Sequence, residues 1–196
     1  MNIIKKIIDF YLNASIHVAF AVYAFLRITE FYFNFSYQKN LYYFIFFGTI
    51  TGYNFVKYAG VAKLHHRSLA NNLKIIQIFS FFCFIAMCYY AFLLPLQTLY
   101  VGFPFALLTV LYAVPFFGGF EKNLRMIGFL KIMVVGLVWA GFTVLVPYYH
   151  EANAISYPAF LLFIQRFFIV VINDRDTSNS ISLHIYICIS NDCSYW

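Results

Sequence analysis

The runs 75–94, IIQIFSFFCFIAMCYYAFLL, and 96–117, LQTLYVGFPFALLTVLYAVPFF, contain no charged residue. About 20 residues rising 1.5 Å each are needed for a helix to cross a hydrocarbon core roughly 30 Å thick, and both runs have that length. Inside such a core a helix satisfies its own backbone N–H and C=O groups, which no open strand can do. Only Pro95 separates the runs, and proline is tolerated in the first turn of a new helix but not in the interior of an old one. The pair reads as a tight helical hairpin, and the fold class as all-α.

Outward from this hairpin, residues 132–149 form a third uncharged run that closes on Pro147 and an aromatic pair suited to a membrane interface. Residues 11–28 and 41–56 are weaker spans. The first contains Asn13, Ser15, His17 and Arg27; the second is aromatic, with Gly48 and Gly52 spaced as a small-xxx-small pair that lets helices approach closely. A sixth apolar stretch opens near Ile155, meets Gln165 and Arg166 midway, and loses its pattern at Asn173. The expectation is a polytopic transmembrane helix bundle of about six spans over residues 1–173, followed by a polar, irregular tail over 174–196. Lys5 and Lys6 ahead of an apolar stretch resemble the start of a signal peptide. Asp9, Asn13 and His17 interrupt that stretch, so the first helix reads as uncleaved.

Composition supports a membrane setting. Hydrophobic residues make up 63% of the 196 and charged residues 10%, with a mean hydropathy of +0.78; soluble domains carry about 25% charged residues. The net charge of +6 comes from cations scattered between apolar runs, not from a continuous basic face, which excludes a nucleic-acid partner. Cys83, Cys88, Cys188 and Cys193 lack the CxxC spacing of a zinc or redox site and read as small apolar residues.

The cations report orientation. With the N-terminus inside, the inner side receives Lys5, Lys6, Lys57, Lys63, Arg67, Lys74, Lys122, Arg125 and Lys131, against Arg27 and Lys39 outside. Nine against two is a strong positive-inside asymmetry, and it places the connections after the second and fourth spans in the cytoplasm.

Chemistry concentrates in those two connections. Gly48-Thr-Ile-Thr-Gly-Tyr-Asn-Phe-Val-Lys-Tyr closes the second span and runs on to Lys63-Leu-His-His-Arg67. Tyr112-Ala-Val-Pro115, then Glu121-Lys-Asn-Leu-Arg125, join the fourth span to the fifth. In order and spacing, from about Ser15 to Val171, these segments resemble the UbiA superfamily of intramembrane prenyltransferases, in which a polar motif closes the second helix and a Tyr-x-x-Pro plus basic segment joins the fourth and fifth. Phe163-Ile-Gln-Arg-Phe-Phe is similar to the sixth helix of a divergent bacterial group within it.

That resemblance implies transfer of a prenyl group from a prenyl diphosphate to a lipophilic acceptor in a bacterial cytoplasmic membrane, among membrane lipids. Two acidic motifs would hold Mg²⁺ on the diphosphate, Lys and Arg clamps would stabilise the departing charge, and aromatic walls would shelter an allylic cation. It assigns the diphosphate to Lys63, Arg67, Lys122, Arg125 and Arg166, and the metal to Asn54, Asp174 and Asp176. The sequence departs from the family pattern at both motifs. Phe55 and Lys57 follow Asn54 where carboxylates are expected, and Asp174 and Asp176, at i and i+2, do not share a helix face. The family would need about three further helices where residues 174–196 show no span, so the expectation is a partial or inactive copy, truncated or frame-shifted after about Val171.

Simpler readings stand beside these. The cations of the connections are also topology determinants. Arg166 inside an apolar helix needs a partner, which is either a substrate anion or a protein group such as Gln77, Asn13 or a helix-end carbonyl. His17 reads as a packed, hydrogen-bonded residue, and His65 and His66, adjacent and divergent, do not form a metal site. Two further function classes remain: a non-catalytic membrane scaffold or lipid-binding protein, and a transporter subunit, which the uncharged spans disfavour.

Overall fold

The computed structural model describes residues 3–58, 70–113 and 128–173, and these are helical apart from short turns. The helices are α1 (Ile3–Asn13), α2 (Ile16–Phe33), α3 (Lys39–Tyr58), α4 (Ala70–Phe92), α5 (Leu96–Ala113), α6 (Gly128–Ala140), α7 (Val146–Ala152) and α8 (Tyr157–Asn173). A π-helical turn over Gly141–Leu145 joins α6 to α7, so 128–152 is one continuous rod. Among the described residues four segments are long and apolar enough to cross a membrane: Ile16–Phe33, Lys74–Phe92, Leu96–Ala113 and Ile132–Ala152. α3 has 20 residues but a more polar composition, and α8 is shorter and apolar. The chain is an integral, multi-spanning helical membrane protein.

Exposure agrees. Ile78, Phe81, Phe82, Phe92, Tyr100 and Phe103 are all more than half exposed. Such a side chain left in water forfeits about 1.5–3 kcal/mol, whereas lipid tails receive it at no cost. The interior is correspondingly small. Val22 and Leu26 of α2 pack on Leu41, Tyr42 and Ile45 of α3, with Leu94 and Val146 completing the cluster. Ala19, Ile50 and Cys83 form a second centre, backed by Phe46, Phe47 and Phe79.

The first span begins later than its hydropathy predicts. Ser15 adopts a left-handed conformation (φ 59°), and the chain breaks there into α1 and α2. Asn13 marks the join: its carbonyl accepts Lys57 Nζ at 3.2 Å and the Tyr58 hydroxyl at 3.0 Å. α1 turns Ile4, Ile7, Ile8, Tyr11 and Leu12 outward along one face while Phe10 meets Phe79 edge-on. His17 is exposed beside the Tyr11 ring, not packed as expected.

Other boundaries follow the turn chemistry. Asn34 and Asn153 end α2 and α7 in the left-handed conformation, which asparagine tolerates. Ser156 Oγ accepts the Ala159 N–H at the start of α8, with Pro158 in its first turn. α4 and α5 form the hairpin about Pro95. At this Pro95 end Arg27 pairs with Glu30 at 2.6 Å, Tyr42 donates to Glu30, Glu151 accepts from Ser36 and Gln38, and Thr98 meets His150 at 2.8 Å.

Candidate functional site: an apolar cavity with a polar end

A cavity of about 810 Å³ lies between α3, α4, α5 and α6, with Val22 of α2 at one side. Each wall is one face of a helix read every three or four residues: Ile45, Gly48, Gly52 and Phe55 on α3; Gln77, Ser80, Phe84 and Met87 on α4; Ala106, Thr109 and Val110 on α5; Val135, Val138, Trp139 and Phe142 beyond. Gly48 and Gly52 help to make the space. A Cβ on Gly48 would stand 3.4 Å from Met87 Sδ, and one on Gly52 3.8 Å from Thr109 Cγ2. The small-xxx-small spacing that predicts close helix approach therefore also lines a cavity. From Asn54 to Ile45 is nine residues of α3, about 14 Å, close to half the hydrocarbon core of a bilayer.

The polar groups collect toward the Lys57 end. Asn54 is 2% exposed, and among the described residues neither its amide nitrogen nor its amide oxygen has a hydrogen-bond partner; Thr51 Oγ1 is likewise buried and unmatched there. A buried unsatisfied group costs about 1–3 kcal/mol, so three such atoms on one cavity wall call for a ligand or water to complete them. Thr49 and Thr109, by contrast, return their hydroxyls to Ile45 O and Phe105 O on their own helices. Tyr53 accepts a hydrogen bond from Trp139 Nε1, bracing α3 against α6 at the same level. No charged residue lines the cavity among the described residues.

The structure separates residues that the sequence grouped. Asn54 lines the cavity, while Lys57, three residues on, turns to Asn13. Tyr112 of the Tyr-x-x-Pro motif is buried and lines the cavity; Pro115 lies outside the described residues, as do Lys63, Arg67, Lys122, Arg125, Asp174 and Asp176. Thr51 carries no signal that would have set it apart from Thr49 two positions earlier.

Arg166 is 3% exposed and is not part of the cavity lining. Its Nη1 donates to Phe25 O at 3.0 Å, its Nη2 reaches Thr29 Oγ1 at 3.4 Å, and its guanidinium lies 4.4 Å from the centre of the Phe25 ring. Its partners are thus a carbonyl, a hydroxyl and a ring on α2, rather than Gln77 or Asn13. This pins α8 to α2 and satisfies a cation in the interior of the bundle.

Among the described residues no three His, Cys, Asp or Glu side chains come together as a metal site. The described lining offers amide and hydroxyl oxygens without a carboxylate, a donor set that does not suit Mg²⁺. Comparison with protein-family models, with curated proteins and with solved structures finds no match to the chain.

Proposed function

We propose that this chain is a UbiA-like intramembrane protein that receives the isoprenoid tail of a prenyl diphosphate in the cavity between α3 and α6, and that it binds this lipid without transferring the prenyl group. The observation that carries the reading is a buried amide, Asn54, with no partner among the described residues, in the wall of an apolar cavity that runs about 14 Å along α3 from Asn54 to Ile45. Asn54 and Thr51 hydrogen-bond the oxygens of the head, and the hydrophobic walls receive the tail. The connections 59–69 and 114–127 leave from helix ends bordering this site and carry Lys63, Arg67, Lys122 and Arg125, cations of the sign a diphosphate requires. The Lys57 end faces the cytoplasm of a bacterial cell, where prenyl diphosphates are soluble enough to arrive, in keeping with the charge asymmetry of the sequence.

Transfer to a lipophilic acceptor is excluded from the proposal on the donor set. Departure of diphosphate needs charge neutralisation at the leaving oxygens, which the family obtains from Mg²⁺ on carboxylates, and the motif after Asn54 has none. The test is displacement of a fluorescent prenyl-diphosphate analogue from the detergent-solubilised protein by farnesyl diphosphate, with inorganic diphosphate and farnesol as separate competitors. Farnesyl diphosphate should compete best. Absence of analogue binding would overturn the reading, and diphosphate release on adding Mg²⁺ and a prenol or phenolic acceptor would overturn its non-catalytic half.

A further inference from the structure

At the end remote from Asn54 the cavity meets the packed core, since Val22 and Ile45 belong both to its lining and to the buried cluster with Leu26, Leu41 and Leu94. One turn of α3 short of Ile45 stands Gly48, and Met87 of α4 reaches across to it. The last turn of the cavity is therefore entered past a residue with no side chain and past an unbranched thioether, the most adaptable of the large apolar side chains. No other pair in the described lining combines a missing side chain with a flexible one at this depth.

We infer that Gly48 and Met87 set the longest tail the cavity accepts. The inference rests on the prenyl-diphosphate reading, because a head held by Asn54 gives the tail a fixed starting point. Measured along α3, the tail then has about 14 Å to the floor at Ile45, and about 9 Å if the passage at Gly48 is shut. The difference is three residues of α3, about 4.5 Å, close to the length of one isoprene unit. A side chain on Gly48 meets first the Met87 Sδ, at 3.4 Å from its Cβ, and then fills the passage itself. Removing the Met87 thioether enlarges the same passage from the other wall, without touching Asn54 or Thr51.

The experiment compares geranyl, farnesyl and geranylgeranyl diphosphate as competitors of the fluorescent analogue for wild type, Gly48→Leu and Met87→Ala. For Gly48→Leu the longest competitor should lose roughly tenfold or more relative to the shortest, as a pocket rejects groups it cannot hold, and for Met87→Ala the ratio should move the opposite way. Thermal unfolding of each variant identifies one that no longer folds. If Gly48→Leu fails in that way, Met87→Ala decides by itself. Unchanged ratios in a folded variant that still binds would overturn the gauge and leave the prenyl site standing. Failure of the wild type to bind any of the three would remove the site and the gauge together.

Discussion

The hydroxyl of Thr29 on α2 donates to the carbonyl of Thr143 in the π-helical turn at 2.7 Å, filling a position that Pro147 leaves vacant. In an unbroken α-helix the Thr143 carbonyl would accept the N–H four residues on, and residue 147 has none. Val146 bonds back to Gly141 five residues away, giving the wider turn. Thr29 also lies within reach of Arg166 Nη2, so one buried hydroxyl ties α2, the turn and α8 together. Thr29→Val keeps the shape and removes both bonds. Interhelical hydrogen bonds in membranes average about 0.6 kcal/mol and reach about 1.7, so a loss of roughly 1–2 kcal/mol is expected in unfolding titrations. Thr29→Ser should retain most of the stability.

Arg166 gives a prediction of a different kind. Because its guanidinium is engaged by Phe25 and Thr29 and lies off the cavity lining, Arg166→Leu and Arg166→Lys should leave binding of the prenyl-diphosphate analogue unchanged. Lysine cannot present two donors in a fixed planar fork, so Arg166→Lys should be the less stable of the two. Weakened binding by a folded Arg166→Leu would place the guanidinium in the anion site instead.

Asn54 should behave in the opposite way. Among the described residues it has no hydrogen bond to lose, so Asn54→Leu should match or exceed the wild type in thermal stability. The same substitution should weaken the analogue by roughly 10- to 100-fold, the value of one or two polar contacts in a dry site. A variant that is destabilised yet binds normally would make the amide structural.

Gly141 opens the π-helical turn against Phe105. A Cβ there would lie 2.5–2.6 Å from three atoms of the Phe105 ring, closer than any real contact. Gly141→Ala should cost about 1–3 kcal/mol through overpacking, and adding Phe105→Leu should recover part of it, a coupling that a double-mutant cycle measures.

Orientation is open to labelling in a background without native cysteines. Lys39 opens α3 at the Pro95 end and Asp9 lies in α1 at the Lys57 end, and both positions are exposed. With the Lys57 end inside, an impermeant maleimide added to intact cells should label Lys39→Cys and spare Asp9→Cys. The reverse pattern would invert the topology.

Much of the architecture is legible because lipid imposes a one-dimensional rule. An uncharged run of the right length has few choices but to be a helix, so the hairpin around Pro95 and the rod over 128–152 follow from residues 75–149 with only their ends adjusted. The break at Ser15 was not legible, since hydropathy runs on through it and the left-handed turn answers to what packs around Asn13 and Ala14. The site was legible in part. Asn54 stands out as the polar residue in an aromatic span, whereas its neighbour Thr51 does not, because pairing of a hydroxyl with its own helix or with a cavity depends on the opposite wall.

What the sequence determined by itself is the solvent and the secondary structure, both consequences of local composition: where charge is absent, how long each run is, and where proline and asparagine interrupt it. Only the tertiary structure decided which polar residue serves which purpose. Asn54, Lys57 and Arg166 look alike in sequence as polar residues in or beside apolar spans. Yet one lines a cavity without a partner among the described residues, one latches α3 to Asn13, and one fastens α8 to α2. The physical reason is that burying a polar group costs free energy until a partner meets it, and that partner is here 44 residues away for Lys57, 141 for Arg166 and, for Asn54, outside the described protein atoms.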